Sequence, residues 1–346
     1  MTFAARFTPR LAVALAVLGC TAGAPWGGLA VAEPAYAQER QFPVRATANT
    51  DDLYPTRRQS WPEGVTSLAD VTYSTIPGYR PMIMDIYLPP RERGPRPLIM
   101  YVHGGAYIGG HTRHGAALAN FPAALASLAA EGFVVASVEY RLASEAPFPA
   151  QAQDLRAALR FLKANAEHYG IDLDRAGLWG GSAGGHLAAV AALSCGDASL
   201  DPARTVAPAG SECVQAAVIW YGLFDFAAFT AGRPPGSVGV LDTLLGCDGY
   251  CGPEAYPPAS PVSFIDANDP PMLLIHGEAD RVIPVAQSRL GEERLRAAGV
   301  QVDSIYIPEV DHSFVGPTPE ITRAANLRAV NATYDFFHAM LDRNGE

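Results

Sequence analysis

The sequence has no surplus of positive charge: 25 Lys and Arg stand against 35 Asp and Glu in 346 residues, for a formal net charge of -10. A surface of that sign repels polyphosphates and anionic lipids, which excludes nucleic acid and anionic membrane as main partners. Neutral or weakly charged ligands fit better. No CxxC pair and no nearby histidine cluster occurs, so the spacing of a zinc site is missing and no metal is expected. The glycine-rich stretches lack the lysine and helix-start spacing of a phosphate loop. There is no internal repeat and no domain-sized linker. The apolar run near the start is interrupted by Pro25 and a glycine pair before it reaches the roughly 20 residues a membrane span needs, which argues against an uncleaved transmembrane helix.

What is present begins with an address. Arg6 and Arg10 precede the apolar run Leu11 to Gly19, and "AYA" at 35 to 37 supplies the small residues of a cleavage site. Residues 1–37 therefore read as a signal peptide, and the protein as secreted or periplasmic. "VLGC", ending at Cys20, also resembles a bacterial lipobox, which would instead anchor the chain to a membrane through a lipidated cysteine. Cys195, Cys213, Cys247 and Cys251 remain, an even number in an exported chain. Two disulfides are expected; proximity suggests Cys195 with Cys213 and Cys247 with Cys251, with other connectivities open.

Residues 38–68 are polar and broken by Pro43, Pro55 and Pro62, the pattern of an N-terminal arm. From 69 to 346 the chain reads as one α/β domain. "RPMIMDIYL" (80–88) alternates as a half-buried strand does, while "PLIMYV" (97–102) and "FVVASVEY" (133–140) are the continuous apolar runs of strands covered on both faces. Further strands are expected at 177–179, 214–222, 271–277 and 302–310. Helices are expected at 117–132, 149–168, after Ser182, at 286–299 and at about 322–342. Strands alternating with helices predict a mostly parallel, twisted sheet with helices on both faces. Residues 223–270, rich in Pro and Gly, read as an excursion above it.

The segment "LWGGSAGGHLAAV" (178–190) carries G-x-S-x-G between a strand and a helix, the context a nucleophile elbow requires. Serine needs a base to take its proton and a third group to hold that base. In the order nucleophile, acid, base, "LLIHGEADRVIP" offers Asp280 and "IPEVDHSF" offers His312, each just after an apolar strand. His276, Glu278, Asp225 and Asp311 are rivals; His276 ends a strand and reads as structural, and Asp311 adjoins the histidine itself. The anion that forms on a substrate carbonyl needs fixed donors, worth about 3 kcal/mol each. "YVHGGAYIGG" (101–110) exposes the amides of Gly104 and Gly105, and Ala183 opens a helix whose positive dipole end adds a third.

With these residues in place, the chain from about 70 to 340 resembles an α/β-hydrolase, closest to the esterase and lipase group with an HGG oxyanion motif. The stretch from "YRLASEAPFPAQAQDLRAAL" through "LWGGSAGGHLAA" is similar to the feruloyl and acetyl-xylan esterase-like branch, as are "VQAAVIWYGLFDF" and "ASPVSFIDANDPPMLLIHGEADRVIP". The resemblance implies Ser182, Asp280 and His312 as the triad and Gly104, Gly105 and Ala183 as the oxyanion donors. Two positions depart from it: Gly181 stands where Glu is frequent, and Ala106 where Gly is. It implies a secreted carboxylic-ester hydrolase that forms an acyl-enzyme on small acyl or aromatic esters, carbohydrate-linked ones among them, without any cofactor. Tyr107, Trp220, Tyr221, Phe224 and Val282 are candidates to line its cleft. An amidase or peptidase of the same fold is the rival, weakened by the lack of a propeller domain. A non-catalytic binding protein is a further one, weakened because neither the serine nor the histidine has been lost.

Overall fold

Nine strands and eight helices follow the chain in the computed structural model, which describes residues 57–90, 94–203, 210–234 and 236–342. The expected signal peptide 1–37, Cys20 of the lipobox and the first part of the arm, 38–56, lie outside the described residues. The strands are β1 (Arg57–Ser60), β2 (Thr66–Ser74), β3 (Met82–Leu88), β4 (Arg96–Val102), β5 (Val134–Val138), β6 (Ile171–Gly181), β7 (Ala216–Trp220), β8 (Met272–Gly277) and β9 (Val302–Ile307). The helices are α1 (Phe121–Ala130), α2 (Ala150–Ala164), α3 (Ala166–Tyr169), α4 (Ala183–Leu193), α5 (Phe226–Thr230), α6 (Gly239–Leu245), α7 (Ala286–Ala298) and α8 (Pro319–Leu341).

The strands form one sheet in the order β1-β2-β3-β5-β4-β6-β7-β8-β9. The first three join antiparallel, and everything from β5 to β9 is parallel. The continuous apolar runs are explained by alternation across this sheet. On β4, Leu98, Met100 and Val102 enter the core beneath α2 and α4, while Ile99 and Tyr101 enter the opposite core beneath α1 and α8. On β8, Met272 and Leu274 take the first side and Leu273 and Ile275 the second. Helix α4 is buried along its whole length, so it needs small apolar residues on every side, and alanine supplies them.

Three differences from the sequence reading have local causes. The sheet begins at Arg57, inside the expected arm of 38–68: Arg57–Ser60 pair with Thr66–Ala69. Every residue of β1 is exposed at the edge, so no apolar alternation marks it, and Pro62 lies in the turn that follows. Strand β6 extends back to Ile171 rather than starting at 177, because its polar first half is held by the Asp172–Arg175 ion pair at 2.9 Å and a register shift against β4. The excursion at 223–270 contains α5 and α6, whose Leu241 and Leu244 join the core beneath α4.

Both expected disulfides are present, Cys195–Cys213 and Cys247–Cys251, with Cα separations of 5.0 and 5.3 Å. The first closes a loop of 18 residues between α4 and β7. Removing that cross-link restores loop entropy to the unfolded chain, of the order of 3 kcal/mol. The Cys195→Ala/Cys213→Ala variant is expected to melt about 10 °C below the oxidised parent in a thermal scan, at roughly 2–4 °C per kcal/mol for a domain of this size.

Candidate active site

Between the end of β6 at Gly181 and the start of α4 at Ala183 stands one residue, Ser182, with φ 57° and ψ -123°. A non-glycine residue in this region costs on the order of 1–3 kcal/mol and persists only where its surroundings enforce it. Here its N–H donates to the Trp220 carbonyl at 3.0 Å, and its own carbonyl accepts from His186 N at 2.9 Å. The flanking glycines are steric requirements. A Cβ on Gly184 would lie 2.1 Å from the Val102 carbonyl oxygen, and one on Gly180 would lie 2.3 Å from that of Gly184. At Gly181 a Cβ would meet the Tyr221 hydroxyl at 3.0 Å, so that tyrosine fills the space a side chain at 181 would use.

Two loops from the carboxyl ends of β8 and β9 meet this serine. His312 Nε2 lies 2.9 Å from Ser182 Oγ, and His312 Nδ1 lies 2.7 Å from Asp280 Oδ2. With Asp280 ionised, Nδ1 donates to the carboxylate and Nε2 is left to accept from the serine hydroxyl. Asp280 Oδ1 takes the N–H groups of Val282 and Ile283 at 2.9 and 2.8 Å. Burial alone would raise this carboxyl, but hydrogen bonds from His276, His312 and the loop amides outweigh it and hold Asp280 well below the usual carboxylate range.

The rivals fall into supporting places. His276 is fully buried; its Nδ1 lies 2.7 Å from Ser288 Oγ, and its Nε2 faces both the Ile283 carbonyl at 2.9 Å and Asp280 Oδ2 at 3.2 Å. It therefore backs the acid, a contact that strand position alone did not reveal. Asp311 accepts from the backbone N–H of His312 at 2.7 Å and of Arg281 at 2.9 Å, tying the histidine loop to the aspartate loop. Asp225 caps α5 through Ala228 N at 3.0 Å, and Glu278 pairs with Arg289 at 2.7 Å.

The third segment is the loop after β4. A Cβ on Gly104 would lie 3.3 Å from Ser182 Cβ, which puts this backbone beside the serine. Gly105 has φ 124°, and its carbonyl accepts from Ile108 N and Gly109 N, both at 3.1 Å. Among the described residues, the N–H groups of Gly104, Gly105 and Ala183 donate to no backbone or side-chain acceptor. His103 stacks on Tyr140 with ring centroids 4.5 Å apart, and burial lowers its pKa to about 4. The ring therefore stays neutral at physiological pH, and its Nδ1–H donates to the Gly104 carbonyl at 2.7 Å.

Of the five candidate lining residues, Tyr107, Tyr221 and Val282 border cavities that open at Ser182. Trp220 and Phe224 do not; both are fully buried. Trp220 is the last residue of β7 and points with Ala216 and Val218 toward α8, where its Nε1 donates to Thr333 Oγ1 at 3.0 Å. Phe224 packs on α7, filling the space a side chain at Gly291 would take. Trp220 still matters to the site, because it holds Phe314 at 5.2 Å between centroids, and Phe314 anchors the loop that carries His312.

Set against known proteins, the chain matches the sequence profile of the BD-FAE family over residues 84–295. It is similar to Esterase LipC of Mycobacterium tuberculosis, 35% identical over 64% of this chain and 53% of that protein. Esterase LipQ of the same organism is 32% identical over 71% of this chain and 57% of that protein. The chain thus spans little more than half the length of these curated relatives. Among solved structures it is similar to a truncated form of a carbohydrate esterase from gut microbiota, with a TM-score of 0.66 and 28% identity over 80% of this chain and 96% of that one. A thermophilic esterase from the Planctomycetes species Thermogutta terrifontis has a TM-score of 0.63 and 21% identity over 85% and 98%, a likeness of fold.

Two outcomes test this geometry. Gly184→Ala forces α4 away from β4 and is expected to destabilise by about 1–3 kcal/mol. Gly109→Ala, whose Cβ would meet nothing within 4 Å, should leave the melting temperature within about 2 °C. The second outcome concerns acid. Burial lowers both His103 and His186 to about 4, whereas the unfolded chain protonates histidine near 6.5. Between those values the unfolded state binds more protons, so the stability these rings contribute is full above about pH 6.5 and is lost as pH falls toward 4. The melting temperature should drop across that window, and it should drop less in His186→Gln, which keeps a donor for the Ala259 carbonyl but does not titrate.

Proposed function

The chain belongs to the BD-FAE family of α/β-hydrolase esterases, and on that premise we propose that it is an exported carboxylic-ester hydrolase working through an acyl-enzyme on Ser182. The observation that carries the reading is the relay Ser182–His312–Asp280, with contacts of 2.9 and 2.7 Å drawn from three separate loops. Ser182 Oγ attacks the ester carbonyl carbon while His312 Nε2 takes the hydroxyl proton. The carbonyl oxygen becomes an anion held by the amides of Gly104, Gly105 and Ala183. The bond to the alcohol oxygen then breaks, and His312 returns the proton to that oxygen. A water molecule, deprotonated by the same nitrogen, attacks the acyl-enzyme; its proton passes back to Ser182 as the acid leaves. Asp280 keeps Nδ1 protonated and balances the imidazolium that forms twice in each cycle.

Small acyl or aromatic esters, carbohydrate-linked ones among them, are the substrate class this reading names. The similarity to a carbohydrate esterase and to two mycobacterial esterases supports it. Two disulfides fit an oxidising compartment outside the cytoplasm. Among the described residues no helix is long and apolar enough to cross a membrane.

Hydrolysis of p-nitrophenyl acetate is expected, with Ser182→Ala lowering kcat by at least about a thousandfold. A fluorophosphonate probe should label the parent and not the variant. Turnover retained in Ser182→Ala would sink the assignment. A matched amide cleaved faster than its ester would replace it with an amidase.

A further inference from the structure

Ser182 stands where two cavities meet. One, about 290 Å³, is bordered by Gly104, His114, Ala116, Tyr221, His312 and Ser313. The other, about 200 Å³, is bordered by Tyr107, Leu223, Phe229, Val240, Leu241 and Ile283. Ala106, Ser182 and Val282 border both, and Ala183 borders the second.

The chemistry proposed above distinguishes the two. The leaving oxygen must accept a proton from His312 Nε2, so the alcohol has to occupy the cavity that His312 borders. The carbonyl oxygen points at the three amides. The remaining substituent on the tetrahedral carbon, the acyl chain, is directed into the space that Ser182 and Ala183 open and that His312 does not reach. We propose that this second cavity is the acyl pocket, and that it selects unbranched aliphatic acyl chains of about four to eight carbons. The assignment rests on the esterase reading and narrows its substrate class.

Three features carry the choice of chain. Most of the wall comes from apolar side chains of the oxyanion loop, α5, α6 and the loops after β7 and β8; Ser237 and Arg233, whose guanidinium lies over the Phe229 ring at 4.5 Å, complete it, and no carboxylate borders it. Its size is limited: a cavity of roughly 150 Å³ takes a benzene-sized group, which leaves too little room for a hydroxycinnamoyl group with its ring, propenoyl arm and polar substituents. The first cavity, by contrast, presents His114, Ser313 and the Tyr221 hydroxyl edge to the alcohol, groups suited to a hydroxylated partner. The roof over the acyl side comes from α5 and α6, in the excursion between β7 and β8.

Holding the alcohol constant tests this. With p-nitrophenyl acetate, butanoate, hexanoate, octanoate and ferulate, kcat/KM is expected to rise from acetate to hexanoate by about fourfold per methylene, the equivalent of ~0.8 kcal/mol. Ferulate should fall below hexanoate. Val240→Phe and, separately, Val238→Phe narrow the pocket from the half-buried start of α6, and each should lower the hexanoate-to-acetate ratio about tenfold or more. Ala116→Phe, on the alcohol side, should leave that ratio unaltered. A flat series, a ferulate rate above hexanoate, or a ratio that responds to Ala116→Phe and not to the valine variants overturns the pocket assignment while esterase activity stands. If no ester is turned over and Ser182 takes up no fluorophosphonate, the esterase reading itself fails, and the pocket with it.

Discussion

One residue is all the chain allows between β6 and α4, and the rest of the site follows from that compression. A turn so short forces Ser182 to positive φ and brings the first turn of α4 against the backbone of β4. The approach is close enough that the Val102 carbonyl would collide with any side chain at 184. A helix this near the sheet has to be narrow, and α4 is buried throughout, with alanine at five of its eleven positions. Strain in the turn is tolerated because the surrounding packing leaves the backbone no alternative. The same packing fixes the hydroxyl in space, so the loops that reach it need only small adjustments of their own.

Those loops are fixed by polar contacts rather than by regular structure. Asp280 is saturated: two amides on one oxygen, two imidazoles on the other. A buried carboxylate with that many donors stays ionised, and its orientation is set by the donors rather than by its own rotamer preference. Asp311 joins the two loops from outside, through the backbone of Arg281 on one and of His312 on the other. Below, Phe314 is locked among Trp220 and Tyr221, and Tyr221 meets the edge of the His312 ring at 4.8 Å between centroids. His312 is thus held from three directions, which is what the proposed reaction, charging and discharging the ring twice per turnover, requires.

The oxyanion loop shows the same economy. His103 is kept neutral by burial, spends its one proton on the Gly104 carbonyl, and stacks on Tyr140, whose hydroxyl donates to the His103 carbonyl at 3.0 Å. With the loop's carbonyls occupied in this way, the amides of Gly104 and Gly105 are left with no internal acceptor among the described residues, and the Gly104 backbone lies beside Ser182. On the proposed reading, donors left free in this way need no rearrangement when charge develops on a substrate oxygen.

Much of this was legible in the linear chain, because its determinants are local. Apolar periodicity marked the buried strands, glycine crowding marked the turn, and a polar residue placed just after an apolar strand marked Asp280 and His312. Features without a local signature escaped. Strand β1 is polar and solvent-facing, so it borrowed its regularity from β2. Trp220 and Phe224 lie close to the site in sequence, yet strand alternation and the gap at Gly291 turned them into core. His276 became a partner of the acid because the chain folds back four residues later, which a strand pattern does not encode. The sequence by itself determined which residues are the candidates for the chemistry and which strand ends present them, since those depend on spacing and side-chain type. Tertiary structure alone decided which segments meet on the side of Ser182 that faces His312 and which on the other, because each cavity wall is assembled from segments far apart in the chain.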